Sequence, residues 1–390
     1  MAAVSTSSVL TDPRQATPEW LTQVLRVSGY LERGTVTGVH VVSSEDTSTW
    51  KLHHLDLRCS DDAETRSTPS TLPRCLDHPS QTPAHLLLKI SHNAPVASGV
   101  ASHHGLSTGK EVWFYTHLAT APEMAAVPLV RCYAAAHDPP YGASHALVED
   151  LSQSHWTTTY PLAPPERWSI DAVECLAGLH ATWWEHQRLR GDIAERVAWQ
   201  REAASAIGRA DPMEKAVPSF LDFVGDGLSP ERRQLFERLL AYEPALRRRQ
   251  DERPPTLVHG DPHWWNFLYP YEPERGRTRV LDWGSWHVGI GTDDVAYMIA
   301  LHGYRDWRRR YERRLLERYH EALLRSGVRG YTWASCWNDY RLSVLGSLFT
   351  PPHFWSINVP AYIWWAKLEC GMQAFEDLGC AELLADLADD

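Results

Sequence analysis

Two neighbouring segments stand out in this sequence: Leu257-Val-His-Gly-Asp-Pro-His-Trp-Trp-Asn-Phe-Leu-Tyr269 and Arg279-Val-Leu-Asp-Trp-Gly284. Their pattern predicts a short strand, a polar loop with Asp261 and Asn266, a second strand from Phe267, a turn, and a third strand ending at Asp282. Apolar strands on both sides would hold the loop still, so we expect the two carboxylates and the carboxamide to converge. Their oxygen atoms suit a hard cation such as Mg²⁺, and one acid is left to face a substrate hydroxyl.

Two other interpretations of this loop are open. Asp261, Asn266 and Asp282 are residue types that favour turns and strand ends, where they bond local backbone groups. Alternatively, His259, Asp261 and His263 alternate along an extended segment and could ligate zinc or iron from one side. No further His/Cys cluster completes such a site, and it would leave the Asn and Asp pair unused. The whole ordered set between apolar strands favours the catalytic interpretation.

The same residues resemble the aminoglycoside phosphotransferase and choline kinase-like superfamily, the small-molecule branch of the protein-kinase fold. The family pattern is His-Gly-Asp-x-His-x-x-Asn followed by Ile/Leu-Asp-Trp, and it stands here as His259, Gly260, Asp261, His263 and Asn266, then Leu281, Asp282 and Trp283. The resemblance implies an α+β, bilobal protein-kinase-like fold, with an antiparallel sheet and a C-helix in the N-terminal lobe and a larger, mainly helical C-terminal lobe. It also implies transfer of the γ-phosphate of ATP or GTP to a small-molecule hydroxyl, with Asp261 catalytic and Asn266 and Asp282 binding Mg²⁺.

Two lobes are expected for a chain of 390 residues. We predict an N-terminal nucleotide-binding lobe over residues 1–150 and a catalytic, acceptor-binding lobe over residues 151–390. Residues 60–83 are polar, contain prolines and lack periodicity, which predicts a flexible insertion between strands. Residues 190–254 are charged and helical in pattern, and in the resembled family such a helical insertion forms one wall of the acceptor cleft.

Lys89 interrupts the apolar strand predicted for residues 84–90, where a lysine needs an anion beside it. A helix is predicted over residues 109–118, and Glu111 on it is the candidate partner. In the resembled family the strand lysine contacts the α- and β-phosphates and pairs with a glutamate of the C-helix. The alternatives are an edge-strand lysine facing water and an ordinary solvated helix acid.

Further nucleotide contacts are predicted in two places. Strand, polar loop and strand over residues 35–57 form a hairpin whose loop, Ser43–Thr49, offers hydroxyl and backbone N–H groups to phosphate; the candidates are Ser44 and Ser48. An ordinary Ser/Thr turn is the alternative. Residues 146–151 resemble the family hinge, so the backbone of Glu149 and Leu151 would meet the adenine edge.

The resemblance also gives supporting roles to two residues: His259 would shape the loop, and Asp294 would brace it by bonding its backbone. His180, in a helix predicted over residues 164–187, is expected to be a structural, hydrogen-bonded histidine. The bulky pair Trp264-Trp265 departs from the small residues common in the family. It predicts an acceptor pocket with bulky walls, formed by His263, Trp264, Trp265 and Trp286, although aromatic residues are usually core.

The net charge of -11 argues against nucleic-acid and anionic-membrane partners. The seven cysteines are scattered and include no Cys-x-x-Cys pair, a pattern typical of reduced intracellular proteins. Neither a secretory signal nor an apolar stretch of spanning length is evident, so we expect a soluble, cytoplasmic enzyme.

The expected acceptor is an antibiotic of aminoglycoside, macrolide or nucleoside type, which would make the reaction antibiotic inactivation and a cause of resistance. The alternatives are a metabolite kinase acting on choline, homoserine or a sugar, and a nucleotide-binding pseudokinase. The complete set of Lys89, Asp261, Asn266 and Asp282 argues against the pseudokinase. The acidic balance favours a cationic acceptor, whereas the tryptophan-containing loop fits a nucleoside or a glycosylated antibiotic.

Overall fold

The computed structural model describes residues 8–65, 85–92, 103–138, 142–198 and 213–387. The chain divides into two compact units. The first unit comprises Met1–Trp156 and Leu268–Ser285, and the second comprises Thr157–Phe267 and Trp286–Asp390. The sequence predicts a single boundary between the lobes, after residue 150. In the structure the first unit ends at Trp156 and also includes Leu268–Ser285, the segment that follows the loop around Asp261.

The strands of the described residues comprise five of 7 to 11 residues and others of 2 to 4 residues. In chain order they are β1 (Leu31–Arg33), β2 (Val36–Asp46), β3 (Trp50–Cys59), β4 (Glu64–Thr65), β5 (His85–Ser91), β6 (Cys132–Asp138), β7 (Ala143–Glu149), β8 (His155–Trp156), β9 (Thr256–Val258), β10 (Phe267–Pro270), β11 (Arg279–Val280) and β12 (His287–Gly289). Five of them form an antiparallel sheet in the order β2-β3-β5-β7-β6. The middle strand β5 sets Lys89 opposite Leu52 of β3 and Ala146 of β7.

The helices account for most of the second unit. In chain order they are α1 (Pro18–Val27), α2 (His103–Trp113), α3 (Glu166–Trp183), α4 (Met213–Val224), α5 (Pro230–Ala241), α6 (Glu243–Asp251), α7 (Gly291–Ile299), α8 (Arg305–Arg325), α9 (Trp333–Ser347), α10 (Thr350–Ser356), α11 (Ala361–Asp377) and α12 (Cys380–Asp386). The antiparallel sheet and the many helices confirm the predicted α+β class.

The core of the first unit forms between α1 and one face of the sheet. Thr17 caps α1 by accepting the N–H of Trp20 at 3.3 Å, and the buried face of the helix packs on alternate residues of the strands. The members of this cluster include Leu21, Val24, Leu25, Leu55, Leu86 and Leu88. Burial of this apolar surface stabilises the sheet that carries Lys89.

Three sequence predictions for the first unit were wrong in their boundaries. β2 continues to Asp46, so the polar loop is shorter than predicted, because Ser43 and Ser44 pair with His54 and His53 after a bulge. The apolar segments 127–133 and 146–151 also predict two strands; the first begins only at Cys132, and the second begins earlier than predicted, at Ala143. Pro128 lacks the N–H that a ladder needs, which explains the later start.

The insertion predicted for residues 60–83 lies outside the described residues from residue 66 onward. Its first part is not irregular, because Glu64–Thr65 pairs with Leu31–Arg33 as a two-stranded antiparallel sheet. The helix predicted from residue 109 begins earlier, at His103, and ends in a π-helical turn, Phe114–Leu118. Helical spacing predicts that Val112, Tyr115 and Leu118 face the core, and all three are buried.

In the second unit, α3 buries a stripe that its helical spacing predicts, formed by Val173, Leu176, Leu179, His180 and Trp183. The helix ends at Trp183, earlier than predicted, and Glu185 adopts a left-handed conformation with φ 51°. Within the helical region predicted for residues 190–254, the described part contains a helical segment at residues 192–198 and then α4, α5 and α6, while residues 199–212 lie outside it. No helix of the described residues is long and apolar enough to cross a membrane.

Candidate functional site

Lys89 and Glu111 form a buried ion pair in the first unit. The Lys89 Nζ lies 2.5 Å from Oε1 of Glu111, and the indole Nε1 of Trp50 donates to Oε2 at 2.8 Å. The ammonium also lies 4.8 Å from the centre of the Trp50 ring. Burial raises the pKa of the Glu111 carboxyl, and the charge of Lys89 opposes that change. Because both carboxylate oxygens have partners, the pair avoids the cost of an uncompensated buried charge.

Asp282 follows β11 in the left-handed conformation, with φ 66°. Asp tolerates this region better than most residues, and such outliers persist only where the surroundings fix them. Here the next residue, Trp283, stacks on Phe114 with ring centres 3.9 Å apart. A Cβ at Gly284 would displace the Ser107 hydroxyl, so the turn packs closely against α2. The charge of Asp282 contributes to the raised pKa of Glu111, so this carboxylate acts on the Lys89–Glu111 pair.

Three of the four remaining nucleotide candidates, Ser44, Glu149 and Leu151, have local hydrogen bonds of their own. Ser44 lies in strand β2, not in a loop, and its hydroxyl is 2.8 Å from Nδ1 of His53. Ser48 lies in the exposed turn between β2 and β3. The N–H of Glu149 donates to the carbonyl of Arg131 at 2.9 Å, and the carbonyl of Leu151 accepts from the turn that follows it. Glu149 therefore has its N–H engaged within the first unit.

Asp294 of α7 anchors the backbone of the loop that carries Asp261. Oδ2 of Asp294 accepts the N–H of His259 at 2.6 Å, and Oδ1 accepts the N–H of Gly260 at 2.8 Å. Gly260 is left-handed, with φ 84°, which turns the chain between the two contacts. His180 contacts Asp294 at 3.1 Å and the Tyr319 hydroxyl at 2.8 Å, so it has the structural role predicted for it.

Asp294 is fully buried, so its charge depends on these partners. Burial alone would raise the pKa of its carboxyl, but the hydrogen bond from His180, its neighbouring charges and the Gly260 N–H hold the pKa below the usual value. An ionised carboxylate that accepts several N–H groups is a strong anchor. The backbone before Asp261 is therefore fixed at two successive residues.

The loop also bonds to itself around Asp261. The N–H of Asp261 donates to Nδ1 of His259 at 3.2 Å, and the amide nitrogen of Asn266 donates to the Asp261 carbonyl at 2.9 Å. The Tyr297 hydroxyl bonds the Asp261 side chain, and Nε2 of His263 lies 3.6 Å from its Oδ2. Because Asn266 uses its amide nitrogen, its amide oxygen is the atom that suits a cation.

Two of the four predicted acceptor-pocket residues are core residues instead. Trp264 and Trp286 are fully buried, and Trp264 packs edge-on against Trp307 at 5.4 Å. Trp265 is only half-buried and stacks on His263 with ring centres 4.3 Å apart. Trp264–Asn266 is a single 3₁₀ turn, in which successive side chains point in different directions. One tryptophan of the pair therefore enters the core while the other stays at the surface.

A cavity of about 290 Å³ lies in the second unit beside the loop. One part of its lining comes from the helical insertion, with Glu243 and Gln250 of α6, and another from Gly260 and Tyr297. Sequence reasoning missed Tyr297 and also Lys367, which is buried on α11 near Asp261. The signal for Lys367 was the one used for Lys89: a lysine within an apolar helical stretch, here Trp364-Trp-Ala-Lys-Leu368.

The sequence model of the phosphotransferase enzyme family (APH) matches residues 81–335, which include Lys89, Glu111, Asp261, Asn266 and Asp282. The chain belongs to the phosphotransferase enzyme family. Membership confirms the resemblance drawn from the loop motif and the kinase-like fold that it implied. It identifies the chain as a phosphotransferase and leaves its acceptor open.

Solved structures that are similar to this chain at low sequence identity include two small-molecule kinases. The choline kinase of Cryptosporidium parvum Iowa II has 12% identity, 95% coverage of this chain and 99% of that one, and a TM-score of 0.48. A choline/ethanolamine kinase family protein of Mesorhizobium loti has 13% identity, coverages of 91% and 94%, and a TM-score of 0.45.

A thermostable mutant of aminoglycoside phosphotransferase APH(4)-Ia, in a ternary complex with AMP-PNP and hygromycin B, has 14% identity, coverages of 90% and 98%, and a TM-score of 0.40. No curated protein sequence matches this phosphotransferase significantly.

Proposed function

We propose that this phosphotransferase moves the γ-phosphate of ATP or GTP to a hydroxyl group of a small molecule, with Mg²⁺ as cofactor. The observation that carries the proposal is the buried Lys89–Glu111 pair, whose carboxylate is satisfied on both oxygens. The ammonium of Lys89 donates one of its three N–H groups to Glu111, and the other two can donate to phosphate oxygens. A scaffold protein has no use for a lysine buried in this way.

In the first unit, Lys89 would position the α- and β-phosphates, and Asp282 would supply a carboxylate oxygen to Mg²⁺. In the second unit, the Asn266 amide oxygen would be the other protein ligand, since its nitrogen is engaged by the Asp261 carbonyl. When bound, the cation neutralises charge on the transferring phosphoryl group. Among the remaining candidates, Ser48 and the backbone of Leu151 stay proposed nucleotide contacts.

Asp261 would orient the acceptor hydroxyl and accept its proton. As the acceptor oxygen bonds to the γ-phosphorus, the bond between that phosphorus and the β,γ-bridging oxygen breaks, and the nucleoside diphosphate leaves. Tyr297 holds the Asp261 carboxylate and His259 holds its N–H, so the base is fixed before the acceptor arrives. Most of the acceleration would come from placement and charge stabilisation, because the protein does little covalent chemistry in this reaction.

The acceptor is proposed to be an antibiotic of aminoglycoside, macrolide or nucleoside type, which would make this a cytoplasmic resistance enzyme. A metabolite kinase acting on choline, homoserine or a sugar is the alternative. The cavity beside Gly260 and Tyr297, with α6 as part of its wall, supports a small-molecule acceptor in either case. The Trp265–His263 stack offers an aromatic surface to a ring-containing acceptor.

The test is a coupled assay of nucleotide consumption with Mg²⁺-ATP and Mg²⁺-GTP. It is run against aminoglycoside, macrolide and nucleoside antibiotics and against primary-metabolite alcohols, with mass spectrometry of every acceptor. We expect one compound to gain one phosphate, and we expect chelation of Mg²⁺ to stop the reaction. Absence of nucleotide binding would overturn the assignments of Lys89 and Asp282.

A further inference from the structure

Lys367 is buried beside the proposed catalytic loop and bonds a neutral partner. It lies on α11, is 3% exposed, and its ammonium contacts Nε2 of His302. The other ring nitrogen of His302, Nδ1, lies 2.8 Å from the carbonyl of Tyr297. A carbonyl can only accept, so Nδ1 carries the proton and Nε2 accepts from Lys367. Burial and the charge of Lys367 hold the pKa of His302 well below its usual value, which keeps this histidine neutral.

One aromatic ring separates Lys367 from the proposed catalytic base. The Lys367 Nζ lies 4.6 Å from the centre of the Tyr297 ring, and the hydroxyl of that ring bonds the side chain of Asp261. Phe354 presents a second ring at 5.5 Å. Burial lowers the pKa of Lys367 to about 7, and the charge of Asp261 acts in the opposite direction. Asp261 is thus the carboxylate that supports the positive charge of Lys367.

Arginines on the neighbouring helices differ from Lys367 in their partners. Arg305 and Arg309 bond the carboxylate of Asp377, and Arg232 bonds that of Glu369. Each of these arginines contacts a carboxylate directly, whereas Lys367 contacts a neutral imidazole. The positive field of Lys367 therefore extends toward Asp261 and the space around it.

The surface beside Lys367 is aromatic and basic. Lys367 and His302 line a small cavity together with Trp265, Tyr160 and Tyr304. The rings of Tyr160 and Trp265 meet edge-on with centres 5.2 Å apart. The ring centre of His263 lies 4.3 Å from that of Trp265 and 5.8 Å from that of His302. Tyr297, whose ring centre lies 4.6 Å from the Lys367 Nζ, also lines the cavity of about 290 Å³ beside Gly260 in which the acceptor is proposed to bind.

We propose that Lys367, held by His302, is a specificity-determining residue that selects acceptors which are neutral or anionic beside the reactive hydroxyl and discriminates against acceptors with a fixed positive charge there. This inference rests on the proposed transfer of phosphate to a hydroxyl held by Asp261. It assigns the acceptor to the sugar, nucleoside and neutral macrolide class rather than to the amino-alcohol or polyamine class. The local cation, and not the acidic balance of the whole chain, decides this choice, because fields of exposed charges are screened over a Debye length.

The test compares two acceptors that differ only in charge: choline, and the neutral isostere in which a quaternary carbon replaces the nitrogen. We expect the wild-type kcat/KM to favour the neutral compound by at least about tenfold, and Lys367→Met to remove most of that preference. Lys215→Met is the matched control, because it deletes a positive charge from the exposed face of α4. We expect it to leave the ratio unchanged.

Two further arms keep the test decisive if Lys367→Met folds poorly. His302→Asn keeps a donor for the Tyr297 carbonyl, but its shorter side chain places no acceptor at the position of Nε2, and we expect a partial loss of the preference. In the wild type, the preference should weaken between about pH 6 and about pH 8.5, as Lys367 loses its proton. The groups that face Lys367 are Asp261, Tyr297, His302 and Cys370, with His263 acting through His302. Choline keeps its charge over this range.

The outcomes separate the inference from the proposed function. Phosphorylation of both acceptors with equal kcat/KM, or a preference for choline that Lys367→Met does not change, overturns the role of Lys367 and leaves the phosphotransferase proposal intact. If neither compound is phosphorylated, the measurement becomes the inhibition by each compound of the slow nucleotide hydrolysis, in which phosphate is transferred to water. Stronger inhibition by the neutral isostere supports the inference, and equal inhibition overturns it. Absence of all transfer, including transfer to water, overturns the proposed function and the inference with it.

Discussion

Asp294 accepts the backbone N–H of His259 at 2.6 Å, although the two residues are 35 positions apart in the sequence. The same carboxylate accepts the N–H of Gly260, so the segment before Asp261 is held at two consecutive peptide groups. A base in phosphoryl transfer acts by its position, and a loop that moved would lose the alignment that the reaction needs. The anchoring of this loop by a buried carboxylate on α7 is therefore central to the proposed mechanism.

Asp294→Asn should weaken this anchor with little change in shape. One oxygen is replaced by an amide nitrogen that cannot accept, so one backbone N–H loses its partner. We expect a loss of about 1–3 kcal/mol in the free energy of unfolding and a fall in kcat larger than the change in KM. Urea denaturation and steady-state kinetics measure both, and a variant with unchanged stability and kcat would contradict the anchoring role.

Trp50→Phe should disturb the Lys89–Glu111 pair without removing either charge. The substitution deletes the indole N–H that bonds Oε2 of Glu111 and keeps an aromatic ring near the ammonium. A buried carboxylate oxygen then lacks its donor, so we expect a destabilisation of about 1–3 kcal/mol and weaker nucleotide binding. Calorimetric titration with a non-hydrolysable nucleotide is the measurement, and an unchanged affinity would show that Trp50 does not position Lys89.

Asp282→Ala should weaken nucleotide binding only when Mg²⁺ is present. The carboxylate is proposed to bind the cation that bridges the phosphates, so its loss removes a ligand from the metal complex. We expect calorimetric titrations in Mg²⁺ to show at least about a tenfold higher Kd than wild type. In EDTA the two proteins should bind equally, and a difference that persisted there would assign Asp282 to the fold instead.

Asp293 makes stability depend on pH. Burial raises the pKa of this carboxyl from 3.8 to about 7, although the Ser343 hydroxyl donates to it at 2.7 Å. Because the folded-state pKa lies above the unfolded one, the group contributes stability that is fully present below the unfolded value and is lost as pH rises through the folded value. Asp293→Asn should therefore be more stable than wild type by about 1 kcal/mol or more above neutral pH, with the two proteins converging toward pH 4. Equal urea midpoints at all pH values would contradict this.

The Lys89–Glu111 pair and the loop around Asp261 could be predicted because each is determined by residues that lie close together in the sequence. A lysine in an apolar strand needs an anion, and the helix after the strand offers Glu111 at a suitable place. The motif from His259 to Asn266 has a fixed spacing, and its residues bond one another within the loop. In both cases the residues specify their own partners or belong to a motif with fixed spacing.

Other features depend on tertiary packing and could not be read in this way. Trp264 and Trp265 are chemically identical neighbours, and only the turn direction sends one into the core and leaves the other half-buried. Lys367 lies about a hundred residues from Asp261 in the sequence, and its partner His302 is on another segment. The strand bounds near Ser44 and Cys132 depend on cross-strand pairing, which polar composition does not reveal.

The central claim is that Asp261 receives the acceptor proton while the nucleotide is held elsewhere. The most direct measurement compares Asp261→Asn with wild type in both nucleotide binding, by calorimetry, and phosphate transfer, by mass spectrometry of the acceptor. The proposed mechanism predicts nearly unchanged binding and a loss of transfer of at least about 10²-fold. Transfer at the wild-type rate would contradict the mechanism, and a loss of nucleotide binding would place Asp261 in the nucleotide site instead.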